Sequence, residues 1–227
     1  MRWVEETDST NTRLLEDARA GAPEGRVLVA DHQTAGRGRL GRRWEAPPAS
    51  SLLVSVLLRP TVPLARAHLV TMAAGLAASD ACDDVAGVRP GLKWPNDLVV
   101  DDAKLAGLLA ESVVEGDALR ALVVGMGLNV TVAPEGATAL ASHATGAVDR
   151  RPLLDAWLRR LDARLDDLDG VLADYRPRCA TLGREVRVER PGGDVLTGTA
   201  VDVTDAGHLV VGRTEVAVGD VVHVRPG

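Results

Sequence analysis

Four arginines and three glycines lie within nine residues of the chain, from Gly36 to Trp44. A stretch with this many charges and so few apolar side chains does not belong in a core. Guanidinium groups bind phosphate and carboxylate oxygens with paired hydrogen bonds, and glycine lets a backbone approach a ligand closely. We therefore interpret this segment as a glycine-hinged loop that binds anions. A solvated basic loop, or one that contacts nucleic acid, is the alternative.

The spacing of Gly36, Gly38 and Gly41 matches the G-x-G-x-x-G pattern of dinucleotide-binding proteins. That pattern carries this meaning only where a helix begins at its last glycine. Pro47 and Pro48 follow within a few residues, and no helical period begins there. The loop is therefore not predicted to be a dinucleotide site.

Lys93 and Lys104 are the only lysines in a chain that contains 24 arginines and neither Phe nor Ile. A GC-rich genome depletes residue types with AT-rich codons, so a dispensable lysine would have become arginine. A retained lysine marks a position where a compact ammonium group is needed and a planar guanidinium does not fit. A lysine whose stem covers apolar surface is the alternative. Other rare polar residues lie in or beside the same segments: Asn11, Gln33, Asn96 and Asn129.

Composition limits the class of protein. The chain has 227 residues, of which 46% are hydrophobic, enough for one large domain or for a medium and a small one. Its net charge of -6 argues against a general nucleic-acid binder. No apolar run reaches the roughly 20 residues of a membrane helix, and the N-terminus does not resemble a signal peptide. Because Cys82 and Cys179 are isolated, we expect free thiols and a cytoplasmic location.

Apolar periodicity predicts an α+β fold in which helices flank a sheet. Helices are predicted over residues 12–20, 64–81 and 152–175. Strands are predicted over residues 3–7, 26–30, 51–58, 91–93, 97–100, 104–114 and 119–130, with a loop over residues 132–146. Strict alternation along the strand at 104–114 would place Lys104, Ala106 and Leu108 on one of its faces.

The pattern changes after Cys179. Short alternating segments separated by glycine-containing turns replace the helical period. This arrangement is typical of a small all-β module, most simply a barrel. We therefore predict two domains, residues 1–177 and residues 178–227.

Five motifs resemble those of the biotin protein ligases in their order and spacing. They are Asp8-Ser9-Thr10-Asn11, Gln33 to Trp44, Lys93-Trp94-Pro95-Asn96-Asp97, Lys104-Leu105-Ala106-Gly107 and Gly125-Met126-Gly127-Leu128-Asn129. The resemblance extends over nearly the whole chain and includes the small C-terminal module. It implies a catalytic domain with a mixed sheet and flanking helices, similar to class II synthetases, followed by an SH3-like β barrel.

The resemblance also implies a reaction in two steps. The carboxylate of biotin attacks the α-phosphate of ATP, which gives biotinyl-5′-AMP and pyrophosphate, with Mg²⁺ as the accompanying metal. A lysine of a biotin carboxyl carrier protein, part of a biotin-dependent carboxylase, then attacks this mixed anhydride. A lipoate or octanoate ligase with the same acyl-adenylate chemistry is the nearest alternative.

The family's site residues carry over to matching positions of this chain. The expected catalytic residues are Lys104, Arg37 and Asp97, and for Asp97 a purely structural role in the turn is the alternative. The expected biotin-binding residues are Ser9, Thr10, Asn11, Gln33, Gly36, Arg37, Gly38, Arg39, Trp44, Lys104 and Gly107. The expected nucleotide-binding residues are Arg37, Arg39, Arg42, Arg43, Trp44, Asn96, Lys104 and Asn129, and no metal ligand is assigned.

The chain also departs from larger family members. Those carry an N-terminal helix-turn-helix domain, whereas the motifs here begin at the first residues, so we expect a monofunctional enzyme that does not bind DNA. Since no apolar run is long enough for a membrane helix, we expect no membrane partner either. A non-enzymatic nucleotide-binding or nucleic-acid-binding module is the remaining alternative of a different class. The predicted loop at 132–146 contains no aromatic residue that could stack on adenine. Finally, residues 36–48 are expected to be mobile without ligand and ordered over the adenylate.

Overall fold

The computed structural model describes residues 1–224, which form a large mixed sheet with helices on both faces and a smaller antiparallel sheet. The large sheet has the order β1-β2-β3-β7-β6-β5-β4, in which β1 and β2 are parallel and the other pairs antiparallel. Its strands are β1 (Arg2–Thr7), β2 (Val27–Gln33), β3 (Ser51–Leu58), β4 (Gly91–Lys93), β5 (Asp97–Val100), β6 (Ala103–Glu115) and β7 (Ala118–Asn129). The predicted α+β class with a mixed sheet is confirmed.

One helix covers one face of this sheet, and three helices cover the other. Helix α1 (Thr10–Arg19) packs its apolar side on Leu57 and Val123. Helix α2 (Ala67–Ala86) is buried nearly all round, and it packs between the opposite sheet face and α3 (Arg150–Leu165). None of the helices within residues 1–224 is long and apolar enough to cross a membrane.

Helix α1 begins two residues earlier than the sequence pattern predicts. Ser9 has an extended backbone and accepts a hydrogen bond from the Thr12 amide, as an N-cap residue does. Thr10 and Asn11 therefore belong to the first helical turn, and both are buried against the sheet. The cap thus fixes three polar residues at the edge of the sheet face that carries α1.

The prediction of a single helix over residues 152–175 is wrong. Helix α3 ends at Leu165, and α4 (Val171–Arg178) begins after an interruption. Three aspartates and a glycine occupy that interruption, and the Asp167 side chain accepts a hydrogen bond from the Gly170 amide. Aspartate side chains compete with the helical hydrogen bonds of the backbone and glycine is a poor helix former, so the chain turns there.

The prediction of strict alternation along β6 is also wrong. Leu98 pairs with Ala106, but the next residue of β5, Val99, pairs with Lys104, so Leu105 forms a bulge. Leu105 and Ala106 are consecutive and both enter the core on the α2 side. The bulge moves Lys104 to the opposite face, which also carries Gly107.

The C-terminal module is a five-stranded antiparallel sheet of order β11-β10-β9-β8-β12. Its strands are β8 (Glu185–Glu189), β9 (Val195–Val203), β10 (Leu209–Val211), β11 (Thr214–Val216) and β12 (Asp220–His223). Trp94 joins this module to the large sheet, because its indole donates to the Gly207 carbonyl (2.9 Å) and its amide donates to Thr181 Oγ1 (3.1 Å). The predicted small β module is confirmed, and the end of its predicted range, residues 225–227, lies outside the described residues.

Candidate active site

Glycines form the floor of a pocket on the sheet face that carries α1. Gly107 of β6 and Gly127 of β7 are directly paired, and Gly125 lies two residues before Gly127. A Cβ atom on Gly127 would overlap the Trp44 indole, and one on Gly125 would overlap the Asn11 amide. Side chains from two other elements can therefore lie directly on the backbone of the sheet.

Polar side chains close one end of the pocket. Gln33 Oε1 accepts hydrogen bonds from both the amide (2.7 Å) and the hydroxyl (3.0 Å) of Thr10. Ser55 Oγ donates a hydrogen bond to Asn11 Oδ1 (2.6 Å). Asn11 in turn donates to the Leu109 carbonyl (3.1 Å). These residues are buried or half-buried and mutually oriented, so this end presents a fixed set of neutral donors and acceptors.

The arginine-rich loop, residues 36–44, folds back on itself over the floor. Gly38 donates to the Arg42 carbonyl (2.7 Å), and the Trp44 amide donates to the Gly36 carbonyl (3.1 Å). Leu40 and Gly41 at its tip have φ values of 55° and 74°, the left-handed conformation of a tight turn. The Trp44 indole nitrogen is buried without a hydrogen-bond partner within residues 1–224.

Cations form the other end of the pocket, and three of them are paired with carboxylates. Lys104 Nζ lies 2.8 Å from Asp97 Oδ1, and the same ammonium group stands 5.7 Å from the centre of the Trp44 ring. Two loop arginines also have carboxylate partners: Arg37 with Glu111 (2.8 Å) and Arg42 with Asp220 (3.0 Å). Asp220 belongs to the C-terminal module, so both modules contribute charge to the rim.

Arg39 differs from these three cations. Its Nη1 donates to Asn96 Oδ1 (3.0 Å), and no carboxylate within residues 1–224 forms an ion pair with it. Burial lowers the pKa of Arg39, while the carboxylates of Asp97 and Asp220 oppose that shift. A guanidinium that has lost part of its hydration and has no anionic partner is suited to bind an anion.

The second lysine lies beside this cluster. Lys93 of β4 is paired with Asp97 of β5, so Asp97 stands between the two lysines of the chain. Burial lowers the pKa of Lys93, and the charge of Asp97 opposes that shift. Lys93 does not belong to the lining of the pocket.

The segment after β7 contacts the backbone of Lys104. The Thr138 amide donates to the Lys104 carbonyl (2.9 Å), and Asn129 Nδ2 donates to the Thr138 carbonyl (3.2 Å). Residues 132–146 thus form the predicted loop, with one short 3₁₀ turn at Leu140–Ser142. Asn129 borders a neighbouring depression that it shares with Gln33 and Pro134.

Most residues proposed from the sequence line one pocket, which retains about 110 Å³ of free volume. Gly36 and Asn129 do not line it, although both lie beside lining residues. The lining residues among those proposed are Ser9, Thr10, Asn11, Gln33, Arg37, Gly38, Arg39, Arg42, Arg43, Trp44, Asn96, Asp97, Lys104 and Gly107.

Sequence reasoning missed two polar residues at the site, Ser55 and Glu111. Ser55 is a hydroxyl inside an otherwise apolar strand, a signal that was available in the sequence. Glu111 had no such signal, because a glutamate near the end of a long strand normally faces solvent.

The described part of the chain contains no group of three or more His, Cys, Asp or Glu side chains placed to hold a metal ion. Mg²⁺ is commonly bound through substrate phosphates together with one or two carboxylates, so it does not need such a group. Asp97, the carboxylate in the pocket lining, is already paired with Lys104, so the ATP phosphates would supply the oxygen ligands of Mg²⁺.

Comparison with known proteins defines the class. A family model described as the biotin/lipoate A/B protein ligase family matches residues 3–129, and one described as the biotin protein ligase C terminal domain matches residues 181–224. The chain therefore belongs to the biotin/lipoate A/B protein ligase family.

Particular relatives narrow this class. The biotin–[acetyl-CoA-carboxylase] ligase of Mycobacterium tuberculosis is 44% identical over 98% of this chain and 88% of its own length. The enzyme of the same name from Paracoccus denitrificans is 33% identical over 90% of this chain. Among solved structures, the biotin protein ligase from Aquifex aeolicus in complex with biotin and ATP superposes with a TM-score of 0.82 at 30% identity, covering 99% of this chain and 98% of that one.

Proposed function

We infer that this protein is a biotin protein ligase, which activates biotin with ATP and transfers the biotinyl group to a lysine of a carrier protein. One observation carries the inference: a single pocket joins a neutral hydrogen-bonding end to a cationic end across a floor of glycine. Biotin has the matching form, since a neutral ureido ring and a carboxylate lie at opposite ends of an apolar chain. The family and its relatives support the same activity.

The neutral end is assigned to the ureido group of biotin. Ser9, Thr10, Asn11 and Gln33 supply donors and acceptors whose directions are fixed by their own hydrogen bonds. A site with oriented polar groups strongly rejects a ligand that lacks their partners. A lipoyl or octanoyl chain has no such polar ring, so this end favours biotin over the alternative acids.

The cationic end is assigned to the carboxylate and the nucleotide. Lys104 is assigned to the point where the carboxylate meets the α-phosphate, and Arg37, whose partner Glu111 also binds Asn11, to the biotin side of that point. Gly36, Gly38 and Gly107 are assigned to the biotin body, for which they leave room. Arg39 is a proposed phosphate ligand, because it is half-buried and has no carboxylate to displace. Further nucleotide contacts are assigned to residues around the rim: Arg42, Arg43, Trp44, Asn96 and Asn129.

In the first step a carboxylate oxygen of biotin attacks the α-phosphorus, and the bond to the pyrophosphate oxygen breaks. Two anions must approach each other, and negative charge accumulates on the oxygens between them. Lys104 brings a compact charge to that point from a strand, and Asp97 holds its ammonium group in place. Such a preorganised cation stabilises the transition state more than the separated reactants.

In the second step the ε-amine of the carrier lysine attacks the carbonyl carbon of the adenylate, and AMP leaves with the electrons of the C–O bond. The amine must lose a proton, which Asp97 is placed to accept at the pocket wall. Mg²⁺ would enter with the ATP phosphates and supply charge neutralisation there. The acceptor is proposed to be the carrier domain of an acetyl-CoA or related carboxylase, in line with the names of the relatives.

The test is a complete transfer assay. The protein is incubated with biotin, ATP, MgCl₂ and a purified apo carrier domain, and the carrier is analysed by intact mass spectrometry. We expect a mass increase of one biotinyl group, none with a carrier whose acceptor lysine is arginine, and none after EDTA removes the metal. No mass increase under saturating substrates, with a known biotin ligase active on the same carrier, would refute the proposal.

A further inference from the structure

Glu111 lies outside the residues to which the proposed function gives a role, yet it contacts two of them. Its Oε1 lies 2.8 Å from Arg37 Nη2, and its Oε2 accepts a hydrogen bond from Asn11 Nδ2 (3.0 Å). The Glu111 side chain is only 21% exposed, whereas that of Arg37 is 47% exposed. The carboxylate is thus the more firmly enclosed partner of the pair.

The large sheet fixes the backbone position of Glu111. It lies in β6, paired with Val123 of β7, and two residues beyond Leu109 on the same face. Asn11, its second partner, is fixed by the Leu109 carbonyl and by Ser55, and it rests on Gly125. The Oε2 atom of Glu111 therefore meets a group whose position is set by helix α1 and the sheet, and this contact fixes the carboxylate that Arg37 approaches.

Arg37, by contrast, belongs to a loop and has a long side chain with many rotamers. Apart from Glu111, its guanidinium has one long contact within the described residues, to Thr12 Oγ1 (3.5 Å). A charged pair with a fixed carboxylate removes most of this freedom before substrate arrives. The first arm of the loop, Gly36 to Gly38, is then held at the mouth of the pocket.

We propose that Glu111 is a positioning residue, which orients Arg37 and with it the first arm of the arginine-rich loop for biotin binding. This inference rests on the proposed function. It distinguishes two roles that an ion pair at a substrate site can have: a pair that preorganises the arginine assists binding, whereas a pair that occupies the arginine competes with the substrate anion. The two roles predict opposite changes in the KM for biotin.

The test uses Glu111→Gln, which keeps the shape of the side chain and removes its charge. Steady-state pyrophosphate release should show a KM for biotin raised about tenfold, the effect of losing one charge-assisted contact, with kcat changed by less than about twofold. Arg37→Met should raise the KM at least as much, because it removes the proposed biotin contact itself. The double variant should resemble Arg37→Met, because Glu111 acts only through Arg37.

Glu115→Gln is the matched control. Glu115 lies in the same strand, but its carboxylate pairs with Arg120 at the far end of β6 (2.8 Å). The KM of Glu115→Gln for biotin should therefore equal that of the wild type. A KM for biotin in Glu111→Gln that is unchanged or lower, or KM increases that multiply in the double variant, would overturn the inference. If Glu111→Gln unfolds, Glu111→Asp keeps the test valid, because it retains the charge but shortens its reach toward Arg37 and should also raise the KM for biotin. A wild-type protein without biotin-dependent activity would instead refute the proposed function.

Discussion

The two segments that face each other across the pocket are held by different forces. The hairpin of β5 and β6 is fixed by backbone hydrogen bonds within the sheet, and Leu98, Leu105 and Ala106 anchor it in the core without any exposed surface. The arginine-rich loop has few backbone contacts and depends on side chains that reach Glu111, Asn96 and Asp220. The residues proposed to catalyse adenylation, Lys104 and Asp97, lie on the rigid hairpin. The residues proposed to retain the adenylate lie on the arginine-rich loop.

This contrast predicts different phenotypes for the two segments. Changes to the hairpin should reduce the rate of adenylation, since the position of Lys104 is built into the sheet. Changes to the loop should alter binding or release of the intermediate while adenylation continues. The variants below are ordered from the largest expected effect to the smallest.

The largest effect is expected at Lys104. Lys104→Ala should reduce biotin-dependent pyrophosphate release by about a thousandfold, as the loss of a preorganised charge at a reacting oxygen does. Lys104→Arg should restore little, because a planar fork does not replace a compact charge between two anions. Thermal unfolding of both variants should match the wild type. Adenylation within about tenfold of the wild type in either variant would contradict the assigned role.

The next largest effect is expected at Gly127, one of the glycines that form the floor of the pocket. Gly127→Val adds a side chain where the Trp44 indole lies, since an added Cβ would stand 2.8 Å from its Cζ2 atom. The ring must move, and the pocket narrows, so the KM for biotin should rise by about ten- to a hundredfold. Gly146→Ala is the control, because Gly146 has open space around its Cα position. Equal KM values in the two variants would show that the floor does not shape the pocket.

A smaller effect on adenylation, but a change of product, is expected at Arg39. Arg39→Gly should still form the adenylate, within about tenfold of the wild-type rate, but should let it escape, because the loop loses its contact with Asn96. Escape is measured as biotin attached to a bystander protein such as albumin.

The control for Arg39 is Leu40→Gly, which loosens the exposed loop tip without removing charge. It should label no more albumin than the wild type, because Leu40 already has the left-handed backbone that glycine accepts. If Arg39→Gly makes adenylate but labels albumin no more than the wild type does, Arg39 only contacts the ligand and does not also retain the adenylate.

The smallest effect is expected where the loop meets the C-terminal module. Asp220→Asn removes the charge that pairs with Arg42 and frees this arginine for the nucleotide. Both side chains are partly exposed, so the KM for ATP should fall only about two- to threefold. Salt screens such a pair, and the difference from the wild type should disappear near 1 M salt. A difference that persists at high salt would indicate a role beyond this ion pair.

Local periodicity predicted most of the fold. The strands over residues 51–58, 91–93 and 97–100 have their predicted bounds, because their apolar runs end at Pro, Gly or Asp residues that stop pairing. Some predicted bounds were wrong: helix α2 extends to Ala86 and not to residue 81, and β2 extends to Gln33 and not to residue 30. Two larger errors arose where one local rule overrode another. The β6 bulge reversed the alternation at Lys104, and the aspartates at 166, 167 and 169 interrupted a continuous apolar stripe.

The site was predictable as residue types but not as contacts. Lysine and asparagine stood out because the chain has only two lysines and three asparagines. The loop arginines stood out because four of them lie within residues 36–44. Of the carboxylates that pair with these cations, Asp97 was proposed from the sequence, but Glu111 and Asp220 did not stand out among 32 acidic residues. Glu111 lies 74 positions from Arg37, and Asp220 lies 178 positions from Arg42. Only the folded chain brings such distant residues together.

The central claim is that this pocket activates biotin, and acid specificity tests it most directly. Pyrophosphate release from ATP is measured with biotin, lipoate and octanoate as the acid, in the wild type and in Lys104→Ala. We predict release with biotin at a kcat/KM at least about a hundredfold above that with either other acid, since only biotin satisfies the polar end of the pocket. We also predict that the release is lost in Lys104→Ala. Equal or faster release with lipoate or octanoate would contradict the account.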